Sequence, residues 1–396
     1  AQVRCCPPPA LVGHLASRTL IFKMVLTPEI EQFRSELKQL GEKPGLQRVK
    51  EPLGPQSGTV CVTGVSGFIA LALARQLLEK GYTVVGTVRN FFDQQKMAPL
   101  LEFQNIYGQD KFRLVADVDC MEPASFEKAV KGCVGVFHTA SPFHFKTEDP
   151  LKDFVQPAKI GTESCLEACK KVQGVRRVIV TASFACIANM GAVPPDYTYS
   201  SKDWNVTSMP DENGKFEEPF IMNGYRYSKV VAEKSAWDFA NQEDCPFDLA
   251  CINPPMVVGT NINKVRTPED LNTSSILVLD ILKGKLAPKT NSTAYVDVED
   301  VARAHVAAYE HPEAGGRRYL CSPSEVLTGM ELHKLLKELA PECDIQMQDP
   351  PEGEGVRLGM DCSALHELSG FSFLPVKETM AAQVRSFQEL GFLSKA

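Results

Sequence analysis

The chain has 396 residues, 44% of them hydrophobic, with a net charge of −7 and a pI near 5.7. That length and apolar content suffice for one large α/β domain with an elaborated lobe, or for two domains. The acidic balance, with no block of basic residues, points away from nucleic acid and anionic membranes, and no apolar run reaches the ~18–20 residues that cross a bilayer.

Residues 1–28 carry Arg4, Arg18 and Lys23 and no acidic side chain, beside Cys5-Cys6-Pro7-Pro8-Pro9. They read as disordered or as extra sequence ahead of Met24, with an organelle-targeting remnant as the other reading. Thr27-Pro28 offers an N-cap and a first-turn proline, and Ile30, Phe33, Leu37 and Leu40 recur at helical spacing up to Gly41. One amphipathic helix is expected there, docked on the main domain or on a second subunit. Residues 41–58, rich in Gly and Pro, read as a linker that completes an N-terminal extension over 1–58.

From Thr59 the pattern changes to short β-rich runs, Thr59–Thr63, Thr83–Val88, Phe112–Ala116, Val134–Thr139, Arg177–Thr181 and Phe247–Ile252. Helical segments fall between them at Phe68–Lys80, near Ser125–Val130, at Asp149–Lys171 with Pro157 inside, and at Arg226–Gln242. Continuous apolarity implies strands covered on both faces, so the expected class is α/β: a Rossmann-type doubly wound parallel sheet over 59–255. A smaller, mostly helical C-terminal substrate lobe is expected over 256–396, with some segments returning to the Rossmann core. The polar, Pro-rich stretches 191–219 and 256–292 read as insertions over the carboxyl edge of the sheet, where open α/β sheets bind ligands.

Thirteen cysteines lie scattered without a Cys-x-x-Cys or a Cys/His cluster, which predicts a reduced, cytoplasmic protein with neither zinc nor a disulfide framework. Cys165 and Cys169, one helical turn apart, read as buried, inert thiols.

Thr63-Gly64-Val65-Ser66-Gly67-Phe68-Ile69-Ala70 follows the first strand and opens a helix. Gly64 permits the tight turn, Gly67 lets the backbone amides around Ser66, Phe68 and Ile69 approach a pyrophosphate, and Ala70 lets helix pack on strand. At the end of the second strand, where an acidic residue would bind the ribose hydroxyl of NAD, stands Arg89. It pairs with a 2′-phosphate, which favours NADP, or else it is a plain surface arginine. Asp117, with Val118 beside it, closes the third strand within reach of an adenine amino group. Small residues Thr139, Ala140 and Ser141 leave room for the nicotinamide half. His138, just before them, is expected to be satisfied by backbone rather than to act as an acid or base.

Tyr225 and Lys229 lie one turn apart, followed by Val230, Val231, Ala232, Ala236 and Trp237 at helical spacing, so they should project from one helix face and share a ligand. Alone, Tyr-x-x-x-Lys is more often an ordinary solvated face. Its place after a glycine turn and a Ser-bearing strand end points instead to nicotinamide-dependent redox chemistry.

Together with Val180-Thr181-Ala182-Ser183, Pro255-Met256-Val257-Val258-Gly259 and Tyr295-Val296-Asp297-Val298-Glu299-Asp300, these motifs resemble the extended short-chain dehydrogenase/reductase family over about residues 59–310. Within it the chain is similar to the branch of dihydroflavonol reductases, cinnamoyl-CoA reductases and fungal NADPH-dependent aldehyde, ketone and methylglyoxal reductases. The resemblance implies a catalytic set of Ser183, Tyr225 and Lys229. Tyr225 donates the proton, Ser183 orients the carbonyl, and Lys229 acidifies the phenol and binds the nicotinamide ribose; Pro255, Met256 and Val257 lie against the nicotinamide. Bringing a phenol from near 10 to near neutrality needs about 4 kcal/mol, which an ammonium about 4 Å away supplies at an effective dielectric near 20.

Cinnamoyl-CoA reductases carry Trp before and Cys after the catalytic tyrosine. Here Gly224 and Arg226 stand there, so the expected substrate is a small aldehyde or ketone rather than a thioester. Phe143, Phe184, Cys186, Met190 and Met222 read either as an apolar pocket or as core. Asp297 and Asp300 are expected to cap or brace the following helix. The rival readings are an NAD-dependent sugar-nucleotide epimerase or dehydratase, a 3β-hydroxysteroid dehydrogenase, and a non-catalytic NAD(P)-binding regulatory protein. The lack of an acid near Arg89 counts against the first and the intact Ser/Tyr/Lys set against the last. A monomer or homodimer is expected.

Overall fold

The computed structural model describes residues 28–41, 43–140, 147–189, 191–348 and 357–394; Thr27, Ser141, Phe143 and Met190 lie outside the described residues. Helix α1 (Pro28–Leu40) forms where the apolar spacing predicts it, with Leu37 wholly buried and the Phe33 ring edge-on to Tyr227 at 6.1 Å. The linker expected after it is a fixed strap. Val49 and Leu53 are buried, and the Arg48 and Val49 amides donate to Asp248 Oδ2 at 3.0 and 2.9 Å. The same carboxylate takes Arg177 Nε at 2.7 Å, a buried pair that neither partner can leave without stranding the other's charge.

The Rossmann half then runs β1 (Thr59–Val62), α2 (Phe68–Glu79), β2 (Val84–Thr87), α3 (Gln94–Tyr107), β3 (Phe112–Val115), α4 (Pro123–Val130) and β4 (Cys133–His138). It continues through α5 (Gln156–Val172), β5 (Arg177–Thr181), the short β6 (Thr198–Tyr199), α6 (Phe220–Ala240) and β7 (Asp248–Asn253). Helix α3 does not show in the sequence pattern because Pro99 interrupts it; in the fold Pro99 is simply buried with Met97 and Leu100. The helix expected over Asp149–Lys171 splits, with a π-helical turn at Leu151–Val155 preceding α5. Pro157 falls in the first turn of α5, directly after that π-helical turn.

Next come β8 (Met256–Val258), α7 (Thr273–Leu282), β9 (Ser292–Asp297), α8 (Val298–Glu310), β10 (Arg317–Leu320), β11 (Val326–Thr328) and α9 (Gly329–Leu339). The last elements are β12 (Gly359–Met360), α10 (Ser363–Ser369) and α11 (Val376–Glu389). The main sheet has seven strands in the order β10-β7-β5-β4-β1-β2-β3, all paired parallel. One apolar core lies under α2 and α8, a second under α4, α5 and α6. A third core joins α7, α9 and α11 in the smaller lobe. The strand order reverses between β1 and β4, so a crevice opens outside their carboxyl ends.

Candidate active site

The crevice is floored by the glycine turn after β1. Gly64 has φ +63°, a left-handed conformation, and a Cβ there would stand 3.1 Å from the Ala140 Cβ. Its amide donates to Thr87 Oγ1 at 2.9 Å, which fixes the turn against β2. Helix α2 starts after Gly67 without a side-chain cap, so its first amides, on Phe68 and Ile69, and the positive end of its dipole face the crevice. A bare helix start behind a turn that tolerates no side chain fits a dinucleotide pyrophosphate. The Ser66 carbonyl accepts from Asn263 Nδ2 at 2.9 Å, a tie from the later lobe that no local pattern signals.

Around this cradle, Arg89 is exposed at the end of β2, and Asp117 is exposed with φ +57° at the end of β3. The Val118 side chain is buried in the core, so only its backbone remains available to a ligand. Thr63 organises the end of β4: its Oγ1 accepts the amides of Thr139 and Ala140, both at 3.1 Å, and the Thr139 hydroxyl donates to the Thr63 carbonyl. His138 is held by a side chain, not by backbone as expected, with Nδ1 3.1 Å from Thr63 Oγ1. Two N–H donors already occupy that hydroxyl oxygen, so its own hydrogen is left for the imidazole nitrogen.

Tyr225 and Lys229 lie near the start of α6 and are both partly buried. Lys229 Nζ stands 5.6 Å from the centre of the Tyr225 ring. Tyr225 also shares a hydrogen bond with Ser183, whose Oγ accepts the Ala185 amide at 3.1 Å. Ser183 therefore caps the turn after β5 and reaches Tyr225 at once. Burial pushes the Tyr225 phenol up to about 12, against the lowering effect of the Ser183 bond, and pulls Lys229 down to about 8. The near-neutral phenol expected from the Tyr/Lys spacing is thus not produced by the chain's own groups, because desolvation opposes the charged form of both residues.

A cavity lined by His138, Ala140, Thr181, Lys229 and Glu233 joins Lys229 to Ala140, the residue packed against the Gly64 turn. A wider groove along α3 and β3, lined by Phe91, Leu101 and Arg113, contains none of these residues. After β7, Pro255 and Met256 are half-buried, while the Val257 side chain is core and its carbonyl accepts Asn272 Nδ2 at 3.0 Å. Cys186 is also wholly buried core, while Phe184 and Met222 are both half-buried, Phe184 packing edge-on against Tyr199 at 5.3 Å. Gly224 is forced by contact: a Cβ there would stand 2.3 Å from the Pro150 Cβ. Asp297 caps α8 through the Glu299 amide at 2.9 Å, and Asp300 pairs with Arg303 and takes the Leu374 amide at 2.7 Å, as expected of bracing residues. Cys165 and Cys169 are buried free thiols, and the hydrogen bond between them, with burial, pushes Cys165 well above its ordinary value. No helix among the described residues is long and apolar enough to cross a membrane.

Comparison with known proteins agrees with this architecture. The family model described as NAD dependent epimerase/dehydratase matches residues 60–321. Cinnamoyl-CoA reductase 1 of Petunia hybrida is 38% identical over 339 residues, covering 84% of this chain and 93% of that protein. Tetraketide alpha-pyrone reductase 1 of Arabidopsis thaliana is 33% identical over 339 residues, 85% of this chain and 97% of its own length. Among solved structures, yeast methylglyoxal/isovaleraldehyde reductase complexed with NADPH superimposes with a TM-score of 0.72 at 28% identity, covering 85% of this chain and 100% of that one.

Proposed function

The chain belongs to the NAD dependent epimerase/dehydratase family, the extended short-chain dehydrogenases/reductases, and from that premise we propose that it reduces the carbonyl of a small aldehyde or ketone to an alcohol. It is an NADPH-dependent oxidoreductase. NADPH, when bound, supplies the hydride. The glycine turn and the open start of α2 hold its pyrophosphate, Arg89 pairs with the 2′-phosphate, and Asp117 with Val118 meets the adenine end. Thr139, Ala140, Pro255 and Met256 border the nicotinamide half.

The observation that carries this reading is the meeting of Ser183, Tyr225 and Lys229, with Lys229 and Ala140 lining one cavity. As a carbonyl carbon takes hydride, its oxygen gains negative charge and basicity. The Ser183 and Tyr225 hydroxyls donate to that oxygen, and the Tyr225 proton passes to it. Lys229, whose ammonium stands 5.6 Å from the centre of the Tyr225 ring, steadies the phenolate left behind by its opposite charge. The burial that raises the phenol toward 12 keeps its proton in place until the substrate oxygen becomes basic enough to take it.

The close fit of Gly224 against Pro150 excludes the tryptophan of cinnamoyl-CoA reductases from that position, which supports a small carbonyl over a thioester. The test is direct. Purified protein is mixed with NADPH and a panel of aldehydes and ketones while the reduced-nicotinamide absorbance is followed. Consumption matched by alcohol formation is expected; no consumption with any member overturns the proposal.

A further inference from the structure

Asn253 closes β7, fully buried, and its Nδ2 group bridges two elements. It donates to the Ser183 carbonyl oxygen at 3.2 Å and to Glu233 Oε2 at 2.8 Å. Glu233, 1% exposed, sits on α6 one turn beyond Lys229 and two beyond Tyr225, so the three share a helix face. Its carboxylate also accepts Arg318 Nε at 2.6 Å, Arg318 Nη2 at 3.3 Å and Trp237 Nε1 at 3.4 Å. Arg318 is 1% exposed and donates Nη1 to the carbonyls of Ser201 and Asp203 at 2.9 and 2.6 Å. Its guanidinium lies 3.7 Å from the centre of the Trp204 ring. A second tie holds the same strand end, from the Phe184 amide to the Pro254 carbonyl at 2.9 Å.

We propose that Asn253 and Glu233 are positioning residues for the reduction: the Ser183–Asn253–Glu233 link sets the spacing between the strand end bearing Ser183 and the helix face bearing Tyr225 and Lys229. The claim rests on the reading of those three residues given above. Neither Asn253 nor Glu233 touches the reacting atoms. The charged pair with Arg318 keeps the Glu233 carboxylate stationary, since moving it would leave two buried charges unpaired. Asn253 passes that fixed point to the main chain of Ser183. A displacement of about 1 Å between donor and substrate oxygen costs a reaction up to roughly 100-fold, so a fixed tie of this kind acts on rate.

The test compares Asn253→Ala and Asn253→Asp with the wild-type full chain. Asn253→Ala removes both donors and leaves Glu233 paired with Arg318. Its kcat is expected to fall about 10- to 100-fold, with the NADPH Kd from fluorescence titration unchanged within about twofold. Asn253→Asp is expected to regain part of its loss as pH falls, because only the protonated carboxyl carries a donor. A folded Asn253→Ala with wild-type kcat, whatever its Tm, overturns the proposal, as does an Asn253→Asp pH profile parallel to that of Asn253→Ala. Should Asn253→Ala not accumulate as folded protein, Asn253→Leu, with similar volume and no donor, takes its place: a fall in kcat at unchanged NADPH Kd upholds the link, and wild-type kcat overturns it. If the wild type consumes no NADPH with any carbonyl, the functional reading fails and amide exchange decides the link by itself. Faster exchange in Asn253→Ala at both 183–186 and 225–229 upholds it; a change confined to the neighbours of Asn253 overturns it.

Discussion

Helix α6 has two unlike faces. Its inner face, Tyr225, Lys229 and Glu233, is held by directional contacts: the Ser183 bond, the Asn253 bridge and the Arg318 pair. Its outer face, Tyr227, Val230 and Lys234, is held by packing: Phe33 at 6.1 Å and Phe216 at 5.9 Å flank the Tyr227 ring, and Leu37 of α1 is buried in the same core. The ion pairs outside, Lys234 to Asp238 at 2.7 Å and to Glu36 at 3.1 Å, are solvent-screened on their acidic side and contribute little. Hydrogen bonds fix angle and distance, whereas apolar contacts supply free energy and tolerate sliding. The inner face should therefore govern rate and the outer face stability.

The largest expected effect tests the inner face. Tyr225→Phe removes the proton donor and should lower kcat about 10²- to 10⁴-fold while NADPH binding, measured by fluorescence titration, stays intact. Retained turnover would break the assignment. Leu37→Ala tests the outer face: it should cost about 2–4 kcal/mol in urea unfolding, with kcat per folded molecule unchanged. A rate loss as deep as that of an inner-face variant would dissolve the contrast between faces. Arg89→Asp lies on neither face and serves as a control. It should weaken NADPH binding about 10- to 100-fold, the worth of a charge-assisted hydrogen bond, with little effect on Tm. Unchanged preference for NADP over NAD would refute the phosphate contact.

The smallest effect is in pH. Lys229, pulled down to about 8 by burial, carries its charge below that pH and loses it above. Because the charged form is the one that steadies a phenolate, kcat/KM should hold below pH ~8 and fall by about tenfold per unit above it. A profile flat through pH 8 to 10 would show that Lys229 charge has no part in the rate.

Local pattern carried much of this. Thr63 to Ala70 reads as a strand, a glycine turn and a helix, because each step has its own chemistry within eight residues. Ser183, Tyr225 and Lys229 were legible as a set through order along the chain and the family resemblance, and they do meet. Helix α3 was not legible, since Pro99 masks a helix that tertiary packing sustains. Nor were Asn253 and Glu233. An asparagine at a strand end and a glutamate on a helix carry no signal until the fold brings them to 2.8 Å. Lys229 four residues before Glu233, and the turn-forming Asn253-Pro254-Pro255, were the available hints.

By itself the sequence determined the class of the molecule: a parallel doubly wound sheet, a dinucleotide turn at its first strand, and a tyrosine and lysine on one helix face. Periodicity and short motifs suffice for these because they depend on residues within a turn or two of one another. Only the tertiary structure decided the electrostatics and the bracing. Burial sets the Tyr225 phenol near 12 rather than near neutrality, residues 43–58 become a strap tied to Asp248, and Val257 and Cys186 turn into the core. Desolvation and long-range contact depend on what surrounds a group in space, and the linear order of residues does not contain that information.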